Sequence, residues 1–131
     1  MIKFTVYAEP KAKGRPRFAR KKNFVMAYTD KKTKDAEKEF IDKSEKFKPV
    51  HPIEGAVAVK LTFIKEKPKA YPKKVKYWTK KPDIENLAKL VLDAMNEIFW
   101  VDDSQIVAIS TFKLYGSPNQ IKVEIEEIKE K

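Results

Sequence analysis

Apolar and polar side chains alternate along several stretches of this chain, and such alternation is typical of strands, whose successive side chains point to opposite faces. Along residues 2–8 the apolar positions share one face, which predicts a strand that ends at Pro10. A second strand, within residues 54–66, is apolar on much of both faces, so we expect it to be central or well covered in its sheet. Its predicted core positions are Val57, Val59, Leu61 and Phe63.

Helical spacing, in which apolar residues recur every three or four positions, occurs twice. The first helix follows Thr29 or Asp30 as its N-cap and buries a narrow stripe around Phe40. The second helix runs from about residue 84 to residue 96. Asp83 precedes it, and we expect the Asp83 side chain to accept a hydrogen bond from a backbone N–H that has no partner within the helix.

Two more strands are predicted over residues 104–115 and 120–128, with the turn-forming sequence GSPN between them, so we expect these strands to form a hairpin. A short extended piece is also expected at residues 24–30. The element order β-α-β-α-β-β predicts an α+β fold in which a mixed β-sheet packs against two helices on one side. A length of 131 residues predicts a single domain that spans the chain.

The composition argues against several classes of chemistry. The chain has no cysteine and a single histidine, His51, in a predicted loop. Disulfides, thiolate zinc sites, cysteine nucleophiles and Ser-His-Asp catalysis are therefore not expected. Neither a signal peptide nor an apolar run of about 20 residues is present, so we expect a cytoplasmic protein that has no membrane partner.

The formal net charge is +10, and two segments carry most of the positive charge. Residues 11–22 contain seven Lys and Arg and no acid, whereas residues 65–81 contain eight with one acid, and both segments include aromatic rings. Such segments suit nucleic acids, because cations displace counterions from phosphates and rings stack on bases. A simpler alternative is that they only keep the protein soluble. The predicted DNA-binding residues are Lys11, Lys13, Arg15, Arg17, Arg20, Lys21, Lys22, Lys73, Lys74, Lys76, Lys80 and Lys81.

Acidic residues lie at both ends of the second predicted helix. Glu85, Lys89 and Asp93 are spaced by four, a pattern that ion pairs on a solvated helix face explain equally well. However, Asp83 lies within one turn of Glu85, and a second acidic pair at residues 102 and 103 follows the apolar sequence IFWV. Carboxylates that converge must be protonated or neutralised, and oxygen ligands without histidine or cysteine suit Mg²⁺ or Mn²⁺.

A divalent cation between these acids would let a polyanion approach them. The cation would polarise a phosphodiester and activate a water molecule as the nucleophile. Lys89 lies one helical turn beyond Glu85, where its ammonium group would orient that water or stabilise the pentacovalent charge. The pattern therefore indicates metal-assisted hydrolysis of a phosphodiester.

The segment KPDIENLAKLVLDAMNEIFWVDDSQIV resembles the signature of the RusA family of Holliday junction resolvases, which contains K-P-D-x-D-N-x-x-K, then D-A-x-N and W-x-D-D-x-Q. The stretches PKAKGRPRF and AYTDKKTKDAE are also similar to the opening of phage and bacterial members. The resemblance implies a homodimeric, Mg²⁺-dependent endonuclease that makes paired nicks in opposite strands of a four-way DNA junction during recombination and repair. It implies that the metal-binding acids are Asp83, Glu85 and Asp103, with Asp102 adjacent, and that the essential catalytic lysine is Lys89.

Other motif positions are informative as well. Asn86 and Gln105 match positions to which the resemblance gives a supporting role. Glu85 stands where the family usually has aspartate, and its extra methylene shifts the carboxylate and affects the metal geometry or the activity. Glu97 stands where many members have glycine, and this difference concerns the end of the helix more than the chemistry.

Two other classes of function are compatible with the same residues. The chain could be a binding protein for branched or single-stranded DNA that lacks catalysis, with Glu85 marking a lapsed active site. It could also be a basic scaffold or an RNA-binding module, which would show no preference for branched over linear duplex at fixed salt.

Overall fold

The computed structural model describes residues 1–14, 17–21 and 24–130. Six strands and two α-helices occur within these residues. They are β1 (Ile2–Val6), β2 (Arg17–Lys21), β3 (Phe24–Tyr28), α1 (Lys31–Ser44), β4 (Ala56–Lys65), α2 (Ile84–Met95), β5 (Ile106–Tyr115) and β6 (Gln120–Ile128). Short 3₁₀ turns occur at Glu45–Phe47 and Asp103–Gln105. No helix in this part of the chain combines the length and the apolarity that spanning a bilayer requires.

Four of the strands form a mixed sheet in the order β1-β6-β4-β5. Strand β4 is parallel to β5 and antiparallel to β6, and β6 is antiparallel to β1. This sheet and the two helices confirm the predicted α+β class. Strands β2 and β3 form a separate two-stranded sheet, and they add two elements to the predicted order at a place where only one short extended piece was expected.

The prediction that the last two strands form a hairpin is wrong, because β4 lies between β5 and β6. The turn after β5 crosses over the end of β4, where the Gly116 N–H donates to the Lys65 carbonyl at 3.0 Å. A Cβ atom at Gly116 would lie 2.8 Å from the Ile64 side chain, so the crossing requires a residue without a side chain. The turn therefore reverses the direction of the chain, but β5 and β6 do not become neighbouring strands.

The hydrophobic core lies between one face of the sheet and the two helices. Val57, Val59, Leu61 and Phe63 of β4 are buried as predicted. Full burial of side chains of this size stabilises a fold by about 1.5–3 kcal/mol each before entropic costs. The rest of the core includes Phe4, Val6, Phe40, Leu87, Val91, Ala94, Met95, Phe99, Trp100, Ile121, Val123 and Ile125.

The two helices begin differently. Asp30 caps α1 as predicted, and its side chain accepts a hydrogen bond from the Thr33 N–H at 2.7 Å. Asp83 occupies the N-cap position of α2, but its side chain makes no capping hydrogen bond, which differs from the prediction. Its carboxylate instead lies where its charge acts on the Lys113 ammonium group. The Asp83 side chain thus does not accept a hydrogen bond from the free backbone N–H groups at the start of α2.

Helix α2 ends at Met95, and Glu97 follows with a φ of 70°. This left-handed conformation is the one that glycine adopts most easily after a helix. We therefore expect Glu97→Gly to raise the free energy of unfolding by about 0.5–1 kcal/mol, because glycine relieves the backbone strain. Urea unfolding of the two proteins measures the difference, and Glu97→Ala, which keeps a Cβ atom, serves as the control that should not gain this stability.

Candidate active site

A groove of about 470 Å³ lies where α2 meets the edge strand β5. It combines an apolar floor with acidic and basic side chains. Its lining residues are Ile84, Glu85, Ala88, Lys89, Leu92, Asp93, Asp103, Ile106, Ile109 and Thr111. The groove therefore brings together three of the four predicted catalytic residues, Glu85, Lys89 and Asp103, from two separate elements.

Helix α2 supplies one wall of the groove. Glu85 and Lys89 are four residues apart, so their side chains lie one above the other on the same helix face. Within the described residues, no ion pair joins Lys89 to either Glu85 or Asp93. The alternative of a solvated helix face held together by such pairs is therefore not what the structure contains.

The Asp103 side chain is held in the groove by the core. The indole Nε1–H of Trp100 donates a hydrogen bond to Asp103 Oδ1 at 2.8 Å. Trp100 is fully buried, so its ring is fixed by packing and its hydrogen bond fixes the carboxylate. One Asp103 oxygen is thus bound to the indole, and this hydrogen bond fixes the orientation of the other oxygen.

Asp102 has a different role from its neighbour. Its carboxylate accepts hydrogen bonds from both the backbone N–H and the hydroxyl of Ser104, and these bonds lower its pKa below the ordinary value. The Gln105 side chain completes a capping box, because its Oε1 accepts from the Asp102 N–H at 2.7 Å. Its Nε2 donates to the carbonyls of Ile53 and Gly55. Asp102 and Gln105 therefore build the turn that presents Asp103.

Asp83 lies at the start of α2 but does not line the groove. The backbone before it is held by Lys113, whose ammonium group donates to the carbonyls of Lys80 and Pro82 at 2.7 and 2.6 Å. Burial lowers the pKa of Lys113, the Asp83 carboxylate opposes this shift, and the nearby Lys65 ammonium adds to it. Lys113 thus fixes the approach to α2 and gives Asp83 a cationic neighbour.

Lys13 was predicted to contact DNA, but in the structure its ammonium group faces two carboxylates. It forms ion pairs with Asp93 and Glu37, and its backbone N–H donates to the Asn86 carbonyl at 3.0 Å. Burial acts to lower the pKa of Lys13, but the hydrogen bond and charge of Asp93, together with Glu37, raise it above the ordinary value. Lys13 therefore ties the first basic segment to both helices.

The structure leaves most of the other predicted DNA-binding side chains accessible. Arg15 and Lys22 lie outside the described residues, and only the backbone of Arg17 and Lys21 is described, as part of β2. The remaining cations are exposed. They are Lys11, Arg20, Lys73, Lys74, Lys76, Lys80 and Lys81.

No three acidic or histidine side chains in residues 1–14, 17–21 and 24–130 lie close enough together to hold a metal ion among themselves. Glu85 and Asp103 share the groove, whereas Asp93 is paired with Lys13 and Asp102 faces Ser104. The predicted metal ligands are thus only partly brought together. The described side chains supply two carboxylates to the groove that are not paired with a cation.

The sequence did not indicate the contacts that three residues make in this region: Asp93, Trp100 and Lys113. The spacing of Trp100 and Asp103 offered a clue, since a buried indole N–H needs an acceptor and a residue three positions away can provide one. Lys113 lies on the core-facing side of β5 beside Phe63, an unusual position for a lysine. The Lys13–Asp93 pair joins residues 80 positions apart, so no local pattern could indicate it.

We expect Trp100→Phe to slow any reaction that depends on Asp103 about 10-fold, because loss of a hydrogen bond that orients a reactive carboxylate typically has an effect of this size. The variant loses the hydrogen bond to Asp103 and some ring volume, so it should also lose about 1–3 kcal/mol of stability. Thermal unfolding measures the second effect. Rates of that reaction compared well below both unfolding temperatures separate it from the first, and an unchanged rate there would show that Trp100 does not position Asp103.

Comparison with known proteins identifies relatives of this chain. The family model described as Endodeoxyribonuclease RusA matches residues 8–126. The chain is 31% identical over 137 residues to the uncharacterized protein YqaN of Bacillus subtilis (strain 168), an alignment that covers 97% of this chain and 96% of that protein. It is 36% identical over 63 residues to the crossover junction endodeoxyribonuclease rusA of Lactococcus phage r1t, with 45% of this chain and 48% of that protein covered.

The fold and the groove define a small α+β protein that carries a carboxylate and lysine site on a basic surface. The chain belongs to the RusA endodeoxyribonuclease family.

Proposed function

We propose that the chain is a Holliday junction resolvase: an Mg²⁺-dependent, structure-specific endodeoxyribonuclease that makes paired, symmetric nicks at four-way DNA junctions in recombination and repair. The observation that carries the proposal is the meeting of Glu85, Lys89 and Asp103 in one groove of a chain that belongs to the RusA family. The name of the phage relative supports the junction as substrate.

The donor set of the groove suits a hard cation. Glu85 and Asp103 offer oxygen ligands only, and Mg²⁺ in phosphate-processing sites commonly takes one or two carboxylates and leaves its other positions to water and substrate phosphate. Two carboxylates are therefore sufficient, and Mn²⁺ would be a plausible substitute. When bound, the cation supplies a Lewis acid that polarises the phosphodiester and makes water a better nucleophile.

The protein side chains have separate tasks around this centre. Glu85 and Asp103 hold the cation, and the hydrogen bond from Trp100 keeps Asp103 in place. The Lys89 ammonium group has no carboxylate partner among the described residues, so it is available to orient the attacking water or to stabilise the charge on the phosphorus oxygens. The exposed cations of the second basic segment draw the DNA backbone toward the groove.

The enzyme acts as a homodimer, because two strands must be cut symmetrically and each chain supplies one groove. The dimer contact is assigned to the open part of the β5 edge, residues 106–112. This stretch contains no charged residue, and Val107 and Phe112, which do not line the groove, are 63% and 45% exposed. An uncharged, apolar edge strand is suited to pairing with a second strand. Light scattering should give about twice the 15.3 kDa of one chain, and a mass of one chain would contradict the dimer.

Cleavage of a synthetic four-way junction, with each strand labelled in turn, tests the proposal. Nicks are expected at symmetry-related positions of two opposite strands in Mg²⁺, and none in excess EDTA, with activity restored by added Mn²⁺. A linear duplex of the same sequence is the control and should remain uncut. Nicking that persists in EDTA, or equal cutting of the linear duplex, would contradict the metal mechanism or the substrate assignment respectively.

A second candidate is a branched-DNA-binding protein that does not cut. Two observations favour it: the glutamate at position 85, and the finding that no three carboxylates of the described residues lie close enough together to share a metal ion. The same experiment separates the two functions, since such a protein would shift the junction in a gel in the presence of Mg²⁺ and leave all four strands intact.

A further inference from the structure

The two-stranded sheet formed by β2 and β3 presents an exposed face of unusual composition. The pairing places Phe18 opposite Ala27 and Arg20 opposite Val25. Directly opposed residues share a face, and so do residues two apart in one strand, so these four side chains lie together. Phe18 is 70% exposed and Val25 is 62% exposed. An aromatic ring and a guanidinium group are therefore displayed side by side on one face of a β-ribbon.

The segment that precedes this ribbon is bound to both helices. The Gly14 N–H donates to the Thr33 hydroxyl at 2.9 Å, and a Cβ atom at Gly14 would lie 2.6 Å from a carboxylate oxygen of Asp30. Lys13, just before it, is bound to Asn86 and Asp93 of α2. Residues 13 and 14, shortly before β2, are thus held against α1 and against α2, the helix that carries Glu85 and Lys89.

We propose that this face is a base-stacking site: the Phe18 ring stacks on a nucleobase at the branch point of the junction, and Arg20 binds the phosphate beside it. This inference rests on the proposed function. Bases at a branch point have lost a stacking neighbour, so inserting a ring there costs less than opening a continuous duplex. Stacking on aromatic side chains tolerates any base, which suits recognition of DNA shape.

Charge complementarity favours DNA over a protein as the occupant. Residues 11–22 hold seven cations and no acid, so the ribbon lies in a strongly positive segment. A second copy of this chain would bring the same positive charge against it, and an apolar protein surface would have to bury Arg20 without a counterion. A nucleobase with its phosphate supplies both the flat apolar surface and the negative charge that the face requires.

The test uses the full chain and a four-way junction that carries 2-aminopurine at the branch point, in Ca²⁺ so that binding is measured without cutting. Binding of the natural protein should change the 2-aminopurine fluorescence. Phe18→Ala should abolish that change and weaken junction binding about 10-fold or more, whereas Phe18→Trp should retain binding within about threefold. Affinity for a linear duplex should be the same for all three proteins.

Matched variants separate stacking from charge and from folding. Val50→Ala, at an exposed apolar position outside this face, should bind within about threefold of the natural protein. Arg20→Gln should reduce the slope of log affinity against log salt by about one, and Phe18→Ala should leave that slope unchanged. Circular dichroism should be unaltered for each variant, because these side chains are exposed.

The proposal is overturned if Phe18→Ala binds the junction and alters 2-aminopurine fluorescence as the natural protein does, or if it changes the oligomeric mass instead of the junction affinity. Failure here is distinguishable from failure of the proposed function. The natural protein in Mg²⁺ reports on nicking independently, so a nuclease without stacking and a stacking protein without nuclease activity give different results.

Discussion

Asp103→Asn is expected to slow nicking of a four-way junction by about 100- to 1000-fold while leaving the fold and junction binding intact. Asparagine keeps an oxygen that accepts the hydrogen bond from Trp100, so the side chain stays in place. The negative charge that would hold the cation beside Glu85 is lost. Single-turnover nicking in Mg²⁺, together with a gel-shift titration in Ca²⁺, measures the two effects separately.

Asp102→Asn is the matched control for this experiment. The two aspartates are adjacent, and each substitution removes one negative charge. The Asp102 carboxylate faces Ser104, and asparagine is also a good N-cap, so the turn should survive. Nicking by Asp102→Asn should lie within about threefold of the natural rate. Equal loss in both variants would contradict the assignment of Asp103 alone to the groove.

Lys89→Met is expected to reduce the nicking rate by about 100-fold or more with little effect on junction affinity. Methionine has nearly the same length as lysine and is compatible with a helix, so the substitution removes the charge without disturbing α2. The natural lysine lies in the groove with Glu85 and Asp103. In the proposed mechanism its ammonium group therefore acts on the reacting phosphate more than on the initial binding of DNA.

Lys38→Met on α1 supplies the comparison, because it removes one equally exposed positive charge outside the groove. Both variants should show the same small decrease in affinity, and only Lys89→Met should lose its nicking rate. If Lys89→Met cuts at the rate of Lys38→Met, the ammonium group acts only through the general electrostatic attraction of DNA.

The sequence predicted the fold class and the core of β4 because both depend on local patterning. It did not predict that β4 would lie between β5 and β6. A turn sequence indicates that the chain reverses direction, but it does not indicate which strands pair with each other in the sheet. That choice depends on contacts between distant residues, such as the hydrogen bond from Gly116 to Lys65. Strand β2 was missed because its positive charge resembles that of a flexible loop, whereas the extended piece expected at residues 24–30 contains β3.

The candidate site was predictable in its residue types but not in its geometry. Glu85 and Lys89 share a helix face by spacing alone, and the structure places them in one groove with Asp103. Which of two adjacent aspartates points there is decided by the Trp100 indole and the Ser104 hydroxyl, and no periodicity distinguishes Asp102 from Asp103.

Lys13 illustrates the limit of arguments from composition. Its sequence neighbours are basic, which suggested a DNA contact, but Asp93 and Glu37 come from two different helices and meet its ammonium group only in the folded chain. The same fold gave Asp83 an interaction with Lys113 in place of the predicted cap. In both cases the folded chain brings a side chain to a distant charged residue that the local sequence did not indicate.

The central claim is that Glu85 and Asp103 hold one divalent cation between α2 and the turn before β5. The most direct test is a crystal structure of the protein with a four-way junction and Mn²⁺, with data collected at the manganese absorption edge. We expect an anomalous peak bound by oxygens of Glu85 and Asp103 and by a phosphate of the DNA. A junction bound in the same place with no peak in the groove, or with the manganese held by other residues, would contradict the claim.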